Sequence, residues 1–263
     1  MRRALALCSM AAAWILVASA PAGAIVYGQP DGNLHPNVGT MVVEVDGEKF
    51  SICSGSLIDA DTFLTASHCT AFPEQVLETD RVWVSFDSVF DPDASKLYAG
   101  TTRTHPKFGS GGFSDANDIA VIELDRPIMS ITPAQLPTAG FLDGLSSMQL
   151  KSATFTAVGY GAVRETRRMA WQSLLDNSER RFGLQTANAL RPAWLQLSMN
   201  EATGNAGTCF GDSGGPHFFG GVTSNLLVSI TVTGDLWCKA TDTTYRVDTD
   251  SARDFLEEFV TLP

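Results

Sequence analysis

Short runs of apolar or alternating residues recur along this chain, and glycine, proline, asparagine or aspartate separates one run from the next. Runs of this kind are typical of β-strands joined by tight turns. With 44% hydrophobic residues and 23 glycines, the chain can fill a sizeable core and still make many turns. The pattern predicts an all-β protein, either an antiparallel barrel or a sandwich. The clearest runs are Val38–Val45, Ser51–Ile58, Arg81–Phe86, Asp118–Leu124, Met148–Gly161, Trp194–Met199, Leu226–Thr233 and Thr243–Val247.

Residues 1–24 carry the three parts of a cleaved secretory signal. Arg2 and Arg3 precede an apolar run from Ala4 to Ala20, and Ala22-Gly23-Ala24 supplies the small residues of a cleavage site. A membrane anchor is the alternative, but the apolar run is short for a span. We therefore expect a secreted protein, extracellular or periplasmic, with no membrane attachment after cleavage and a single domain from residue 25 to residue 263.

The stretch Gly211-Asp212-Ser213-Gly214-Gly215-Pro216 has the composition of a nucleophile turn. A serine between glycines can sit on a tight turn, with neighbouring backbone N–H groups aimed at one point. The N–H groups of Gly211 and Ser213 could then form an oxyanion hole. The alternative is an ordinary surface turn, so the rest of the chain must decide.

A serine nucleophile needs a histidine base and an acid that orients the histidine. His68 follows an apolar strand-like run that begins at Thr62, and Asp118 stands at the start of another such run. The order histidine, aspartate, serine is that of the chymotrypsin-like arrangement. Ser213 also fits the G-x-S-x-G pattern of α/β-hydrolases, but there the acid and histidine follow the serine. Here only His217 follows it, four residues on and too close to act as its base.

These motifs together resemble the trypsin/chymotrypsin family of serine endopeptidases. The resemblance extends from Ile25 to the C-terminus and includes T-A-S-H-C around His68, the His105-Pro106 pair, Gly159-Tyr160-Gly161 and G-D-S-G-G-P. It implies two six-stranded antiparallel β-barrels with the active site between them and a crossover near residues 126–137. Peptide bonds would be hydrolysed through an acyl-enzyme, with His68 as general base, Asp118 as its orienting partner and Ser213 as nucleophile. The alternative is a catalytically inactive, protease-like binding module.

The C-terminal residues predict a helix. Ser251-Ala252-Arg253-Asp254 reads as a capping box, and Phe255, Leu256, Phe259 and Val260 form an apolar stripe at helical spacing. We expect this helix to pack on the second barrel.

Four cysteines remain once Cys8 leaves with the signal peptide. The resemblance implies the pairs Cys53–Cys69, beside His68, and Cys209–Cys238, beside Ser213. The residues alone leave other pairings open. A zinc site is the alternative for four cysteines, but no C-x-x-C spacing supports it.

The residues that would form the primary pocket depart from the best-known relatives. The position six before the nucleophile, an aspartate in trypsin-like members, is Gly207 here. Ser229-Ile230-Thr231 would stand where the family has Ser-Trp-Gly, so that Ser229 supports Asp118 and Thr231 narrows the pocket, with Thr243 on the second wall. The expected pocket is neutral and narrow, as in elastase-like members. Trypsin-like specificity through a non-standard acid, Asp235 or Asp242, is the alternative.

The resemblance also implies an activation switch. Family members become active when a new N-terminal ammonium pairs with the aspartate before the nucleophile, which is Asp212 here. Ile25-Val26-Tyr27-Gly28 follows the cleavage signal directly, so signal cleavage after Ala24 would itself release Ile25. An ordinary first strand at Ile25 is the alternative.

Charge and the remaining clusters limit the expected partners. The formal charge of −11 becomes −13 once Arg2 and Arg3 are removed with residues 1–24, which hold no acid. Nucleic acids and anionic membranes are therefore unsuitable partners. We expect a monomer that acts on proteins or peptides and meets protein protease inhibitors, with no cofactor or metal.

Asp91-Pro92-Asp93 is read as a solvated turn, with a calcium loop as the alternative. The basic cluster Arg164, Arg167, Arg168, Arg180 and Arg181 resembles the family's exposed autolysis loop, with a short helix as the alternative.

Overall fold

The computed structural model describes residues 25–164, 174–175 and 178–263. A short strand, β1 (Gln29–Pro30), comes first in the chain. Six antiparallel strands then close a first barrel: β2 (Val38–Val45), β3 (Glu48–Asp59), β4 (Thr62–Thr65), β5 (Arg81–Ser85), β6 (Tyr98–Thr104) and β7 (Ala120–Leu124). They pair in the order β2-β3-β4-β7-β6-β5, and β5 pairs back with β2.

The strands of the second barrel are β8 (Thr154–Gly159), β11 (Arg181–Leu190), β12 (Trp194–Ser198), β13 (Pro216–Phe219), β14 (Leu227–Gly234) and β15 (Thr241–Arg246). They pair in the order β11-β12-β15-β14-β13-β8, and the barrel closes because β8 pairs with both β13 and β11. β1 joins its edge through β11, and β9 (Val163–Arg164) pairs with β10 (Leu174–Leu175). The prediction of two six-stranded barrels is thus confirmed.

Helices are few and short. α1 (Ser67–Val76) follows β4, α2 (Ser147–Ser152) lies before β8, α3 (Asp250–Leu256) is near the C-terminus, and Glu201–Thr203 form a 3-10 turn. Within the described residues, no helix is long and apolar enough to span a membrane.

The run Met148–Gly161, predicted as one strand, is divided between a helix and a strand. Ser146 and Gln149 form a reciprocal capping box that begins α2, and extended backbone resumes only at β8. The capping hydrogen bonds satisfy the free N–H groups of the first turn, so local chemistry overrides the apolar pattern. Three barrel strands went unpredicted, because β6 contains three threonines and an arginine, β11 mixes polar with apolar residues without regular alternation, and β13 has only four residues.

The C-terminal helix forms, but it begins earlier than the predicted capping box. Thr249, not Ser251, is the N-cap, and its side chain accepts a hydrogen bond from the N–H of Ala252. The Ser251 hydroxyl instead donates to the side chain of Asn117. Phe255 packs against the ring of His105, 4.8 Å between centroids. The helix therefore also supports the first-barrel loop that precedes Asp118.

Arg180 joins the two barrels through a buried polar network. Its fully buried guanidinium donates to the carboxylate of Asp31 at 2.8 Å and to the carbonyls of Val38 and Phe86 in the first barrel. Burial alone would raise the pKa of Asp31, but hydrogen bonds from His35 and Arg180 outweigh burial and hold it below its usual value. The expected exposed basic loop is thus wrong for Arg180, and also for Arg181, which is buried. Arg167 and Arg168 lie outside the described residues.

Replacing Arg180 with methionine is expected to lower the free energy of unfolding by about 3–5 kcal/mol, because Asp31 is left buried without its partner. The matched control is Arg81→Met, which breaks an exposed pair with Asp125. Urea unfolding followed by tryptophan fluorescence measures both. Adding Asp31→Asn to Arg180→Met should recover part of the loss. Equal midpoints for the Arg180 and Arg81 variants would show that the network contributes little.

Candidate active site

His68 lies in the first turn of α1, directly after the buried strand β4. The preceding Ser67 is fully buried, and its hydroxyl donates to the carbonyl of Ile119 at 2.6 Å. This bond ties the start of α1 to the segment that carries Asp118. The His68 side chain remains 33% exposed, so its ring can reach a ligand.

Asp118 holds His68 through two contacts. One carboxylate oxygen accepts from the backbone N–H of His68 at 2.9 Å, and the other lies 2.9 Å from its Nδ1. A carboxylate only accepts hydrogen bonds, so Nδ1 carries the proton and Nε2 presents a lone pair. The Asp118 side chain is 6% exposed, which keeps water from competing for it. The two contacts fix both the tautomer and the orientation of the imidazole.

Ser213 lies on a tight turn shaped by its neighbours. Gly211 and Gly214 have φ values of +94° and +77°, which other residues rarely adopt. The N–H of Gly214 donates to the carbonyl of Thr231 at 2.7 Å. Within the described part of the chain, no carbonyl accepts from the N–H of Gly211 or Ser213. Both N–H groups are thus available to an incoming oxyanion.

Contacts between the barrels bring the Ser213 turn to the His68 segment. The carbonyl of Ser213 accepts from the N–H of Ser54 at 2.9 Å and lies 3.7 Å from Sγ of Cys69, the residue after His68. Both expected disulfides form, Cys53–Cys69 and Cys209–Cys238. The first fastens the end of α1 that carries His68 to β3, and the second fastens the Ser213 loop to the segment before β15.

Asp212 is a completely buried carboxylate under this turn. Burial raises its pKa to about 7, although the N–H groups of Cys209 and Gly161, each at 2.8 Å, favour the charged form. Ile25 and Val26 are also fully buried, and Val26 exchanges two backbone hydrogen bonds with Gly207. The segment Ile25–Val26 therefore packs against the loop that leads to Ser213.

A cavity of about 310 Å³ opens beside Ser213. One wall is the loop before the nucleophile and the other is the end of β14 with the segment that follows it. The lining residues are Thr208, Cys209, Phe210, Ser213, Thr231, Val232, Thr233, Gly234, Asp235, Leu236 and Cys238.

Of the predicted pocket residues, only Thr231 lines this cavity, and the wall begins later along β14 than expected. Ser229 is fully buried and accepts a hydrogen bond from Thr244, so its side chain does not line the cleft, and its support of Asp118 stays a prediction. Gly207 is not among the residues that line this cavity. Thr243 faces a different cavity. Because Cys238 is bonded to Cys209 beside the nucleophile, the residues just before Cys238 must pass the cleft, and this was the sequence signal for the true wall.

That second cavity, of about 480 Å³, adjoins the first through Val232 and Thr233. It is also lined by Phe113 and Trp194, and the indole N–H of Trp194 donates to the carbonyl of Phe113 at 2.9 Å. Val232 and Thr233 therefore form a wall common to the two cavities.

The two acids that could charge the primary pocket both accept hydrogen bonds within the protein. Asp235 lines the cavity, but its carboxylate accepts backbone N–H groups of Trp237, Lys239, Ala240 and Thr241. Burial would raise the pKa of Asp235, and these bonds lower it below its usual value. Asp242 is fully buried, 3.2 Å from Nε2 of His217 and 3.3 Å from the amide nitrogen of Gln185.

Asp91 caps a turn in the acidic segment of the first barrel. Its side chain accepts the N–H of Asp93 at 2.9 Å, and its carbonyl accepts the N–H of Ser95. These contacts are those of an exposed turn.

The arrangement can support acyl transfer. A hydroxyl nucleophile, an oriented imidazole with a free Nε2 face, two backbone donors and an adjoining cavity are the parts such a reaction needs.

Comparisons with known proteins agree with this geometry. A family model described as Trypsin matches residues 32–256. Kallikrein 1-related peptidase b27 of Mus musculus is 27% identical over 204 residues, which cover 71% of this chain and 72% of that protein. Kallikrein 1-related peptidase b26 of the same species is 27% identical over 210 residues, covering 72% and 74%. A solved structure of HL collagenase superimposes with a TM-score of 0.64 at 20% identity, covering 89% of this chain and 97% of that chain, and shows the same fold.

Proposed function

This chain belongs to the trypsin family of serine peptidases, which are hydrolases, and from that premise we propose that it is a secreted endopeptidase acting through His68, Asp118 and Ser213. The observation that carries the proposal is the doubly held His68–Asp118 pair, fastened by inter-barrel contacts to the turn of Ser213. A catalytically inactive binding module is not favoured, because all three positions hold a competent residue.

The reaction follows from the roles these groups can take. Nε2 of His68 accepts the proton of the Ser213 hydroxyl as the oxygen attacks the carbonyl carbon of the scissile bond. The N–H groups of Gly211 and Ser213 stabilise the oxyanion, and the imidazolium then gives its proton to the leaving amine. Water, activated by the same imidazole, hydrolyses the acyl-enzyme. Asp118 stabilises the imidazolium throughout.

The primary pocket favours small apolar side chains such as alanine or valine before the scissile bond. Gly207 brings no charge, and Thr231 is a β-branched residue on the cavity wall. The carboxylates of Asp235 and Asp242 are held by backbone N–H groups and by His217 and Gln185. Because both carboxylates already accept hydrogen bonds within the protein, a cationic side chain gains less from them on entering.

Residues 1–24 act as the signal peptide, and cleavage after Ala24 releases Ile25 for pairing with Asp212. The buried placement of Ile25 and Val26 against the loop before Ser213 supports this switch. The mature protein works as a monomer on protein or peptide substrates and is open to protein inhibitors that occupy the cavity beside Ser213.

The test is hydrolysis of chromogenic peptides that differ only in the residue before the scissile bond, with and without phenylmethylsulfonyl fluoride. We expect the highest kcat/KM with alanine or valine, complete inhibition by the reagent, and one adduct located by mass spectrometry on the peptide that contains Ser213. Hydrolysis that survives the reagent would contradict the serine mechanism. A preference for arginine or lysine would show that an acid reaches the pocket.

A further inference from the structure

Gly207 has no side chain that could form the inner end of the cavity beside Ser213. The space that such a side chain would enter is already occupied by other atoms. A Cβ placed on Gly207 would lie 3.1 Å from Sδ and 3.2 Å from Cβ of Met199. Met199 follows β12 and is 1% exposed. The methionine thus occupies the region into which a side chain at position 207 would project.

Met199 also lies next to one residue of each wall of the cavity. The Thr208 hydroxyl donates to its Sδ at 3.7 Å, and a Cβ on Gly234 would lie 3.4 Å from its Cε. Thr208 and Gly234 line opposite sides of the cavity. The side chain of Met199 therefore lies between the two walls, directly behind their lining residues.

We propose that Met199 is a specificity-determining residue that closes the inner end of the primary pocket and restricts it to short, uncharged side chains. The proposal rests on the proposed peptidase function and deepens it by naming the group that limits pocket depth. A buried thioether offers dispersion contacts and no charge, so it accepts an apolar end group and leaves a cationic one unpaired. Asp242 lies opposite Gly234 in the β14–β15 register, and its carboxylate is paired with His217.

Shortening Met199 should deepen the pocket. In Met199→Ala, we expect the ratio of kcat/KM for a leucine peptide to that for the matching alanine peptide to rise at least about tenfold over wild type, since one or two methylene groups in a pocket have effects of this size. Met199→Leu conserves volume and should leave the ratio within about threefold. Met199→Val, a milder truncation that disturbs packing less, should give an intermediate ratio.

Active enzyme in each variant is counted by titration with phenylmethylsulfonyl fluoride, so that loss of folded protein does not alter the ratio. An unchanged ratio in both Met199→Ala and Met199→Val, with hydrolysis still sensitive to the reagent, overturns this inference and leaves the peptidase function standing. Absence of reagent-sensitive hydrolysis in the wild-type protein overturns both. A wild-type preference for leucine or phenylalanine over alanine also overturns the role of Met199.

Discussion

Replacing Ser213 with alanine is expected to lower kcat for peptide hydrolysis by at least about 10⁴-fold, because the acyl-enzyme can no longer form. His68→Ala should cause a loss of similar size. The double variant should be little worse than either single one, since residues that act as a unit are non-additive. Progress curves at saturating peptide, on protein purified away from other peptidases, measure all three.

The matched control is Ser110→Ala, which removes an exposed hydroxyl that bonds only within its own loop. Its kcat should equal that of the wild type. Urea midpoints show whether each variant still folds. Undiminished hydrolysis by a folded Ser213→Ala protein would remove Ser213 from the mechanism.

A single residue retained before Ile25 is expected to lower activity by about 10²–10³-fold, the size of effect seen when an oxyanion donor is lost. Without a free ammonium at Ile25, the buried carboxylate of Asp212 has no cationic partner to hold the turn of Gly211 and Ser213. The comparison uses two proteins released from cleavable fusions, one beginning at Ile25 and one at Ala24. Asp212→Asn in the protein beginning at Ile25 should lower activity similarly. Full activity with Ala24 retained would mean that the turn needs no ammonium.

The same pair of proteins should differ in how stability depends on pH. In the chain with a peptide bond before Ile25, burial raises the pKa of Asp212 from 3.8 to about 7. The folded state therefore binds this proton more tightly than the unfolded state, and stability falls as pH rises from about 4 to about 7. In the protein beginning at Ile25, the ammonium favours the carboxylate, so this decline should shrink. The ammonium's own pKa rises above ~7.7–8.0, and its contribution is lost only as pH passes the folded value.

Urea midpoints at several pH values between 4 and 7 measure this difference. Asp212→Asn in the protein that retains Ala24 is the control and should flatten its decline. Identical pH profiles for the two wild-type forms would contradict pairing between Ile25 and Asp212.

Features that depend on residue type and short spacing could be predicted from the chain alone. The G-D-S-G-G-P turn, His68 after a strand and Asp118 before one led to the family and the two barrels. The disulfide pairs followed from the same resemblance. A tight turn or a strand end is formed largely by neighbouring residues, so their identities carry the information.

Features that depend on register and on distant contacts required the tertiary structure. The pocket wall was predicted around Ser229. In the structure, the β14–β15 pair has a register shift between Thr231 and Thr233, and the residues of β14 that line the cavity begin at Thr231. A one-residue change of register turns every side chain to the opposite face of a strand, and no local pattern in β14 reports it. Met199 and Arg180 acquire their positions only when chain segments far apart in sequence pack together. Residue chemistry and short spacing therefore determined the family and the candidate reacting groups, whereas long-range packing decided which residues line the cavity beside Ser213 and how the two barrels are held together.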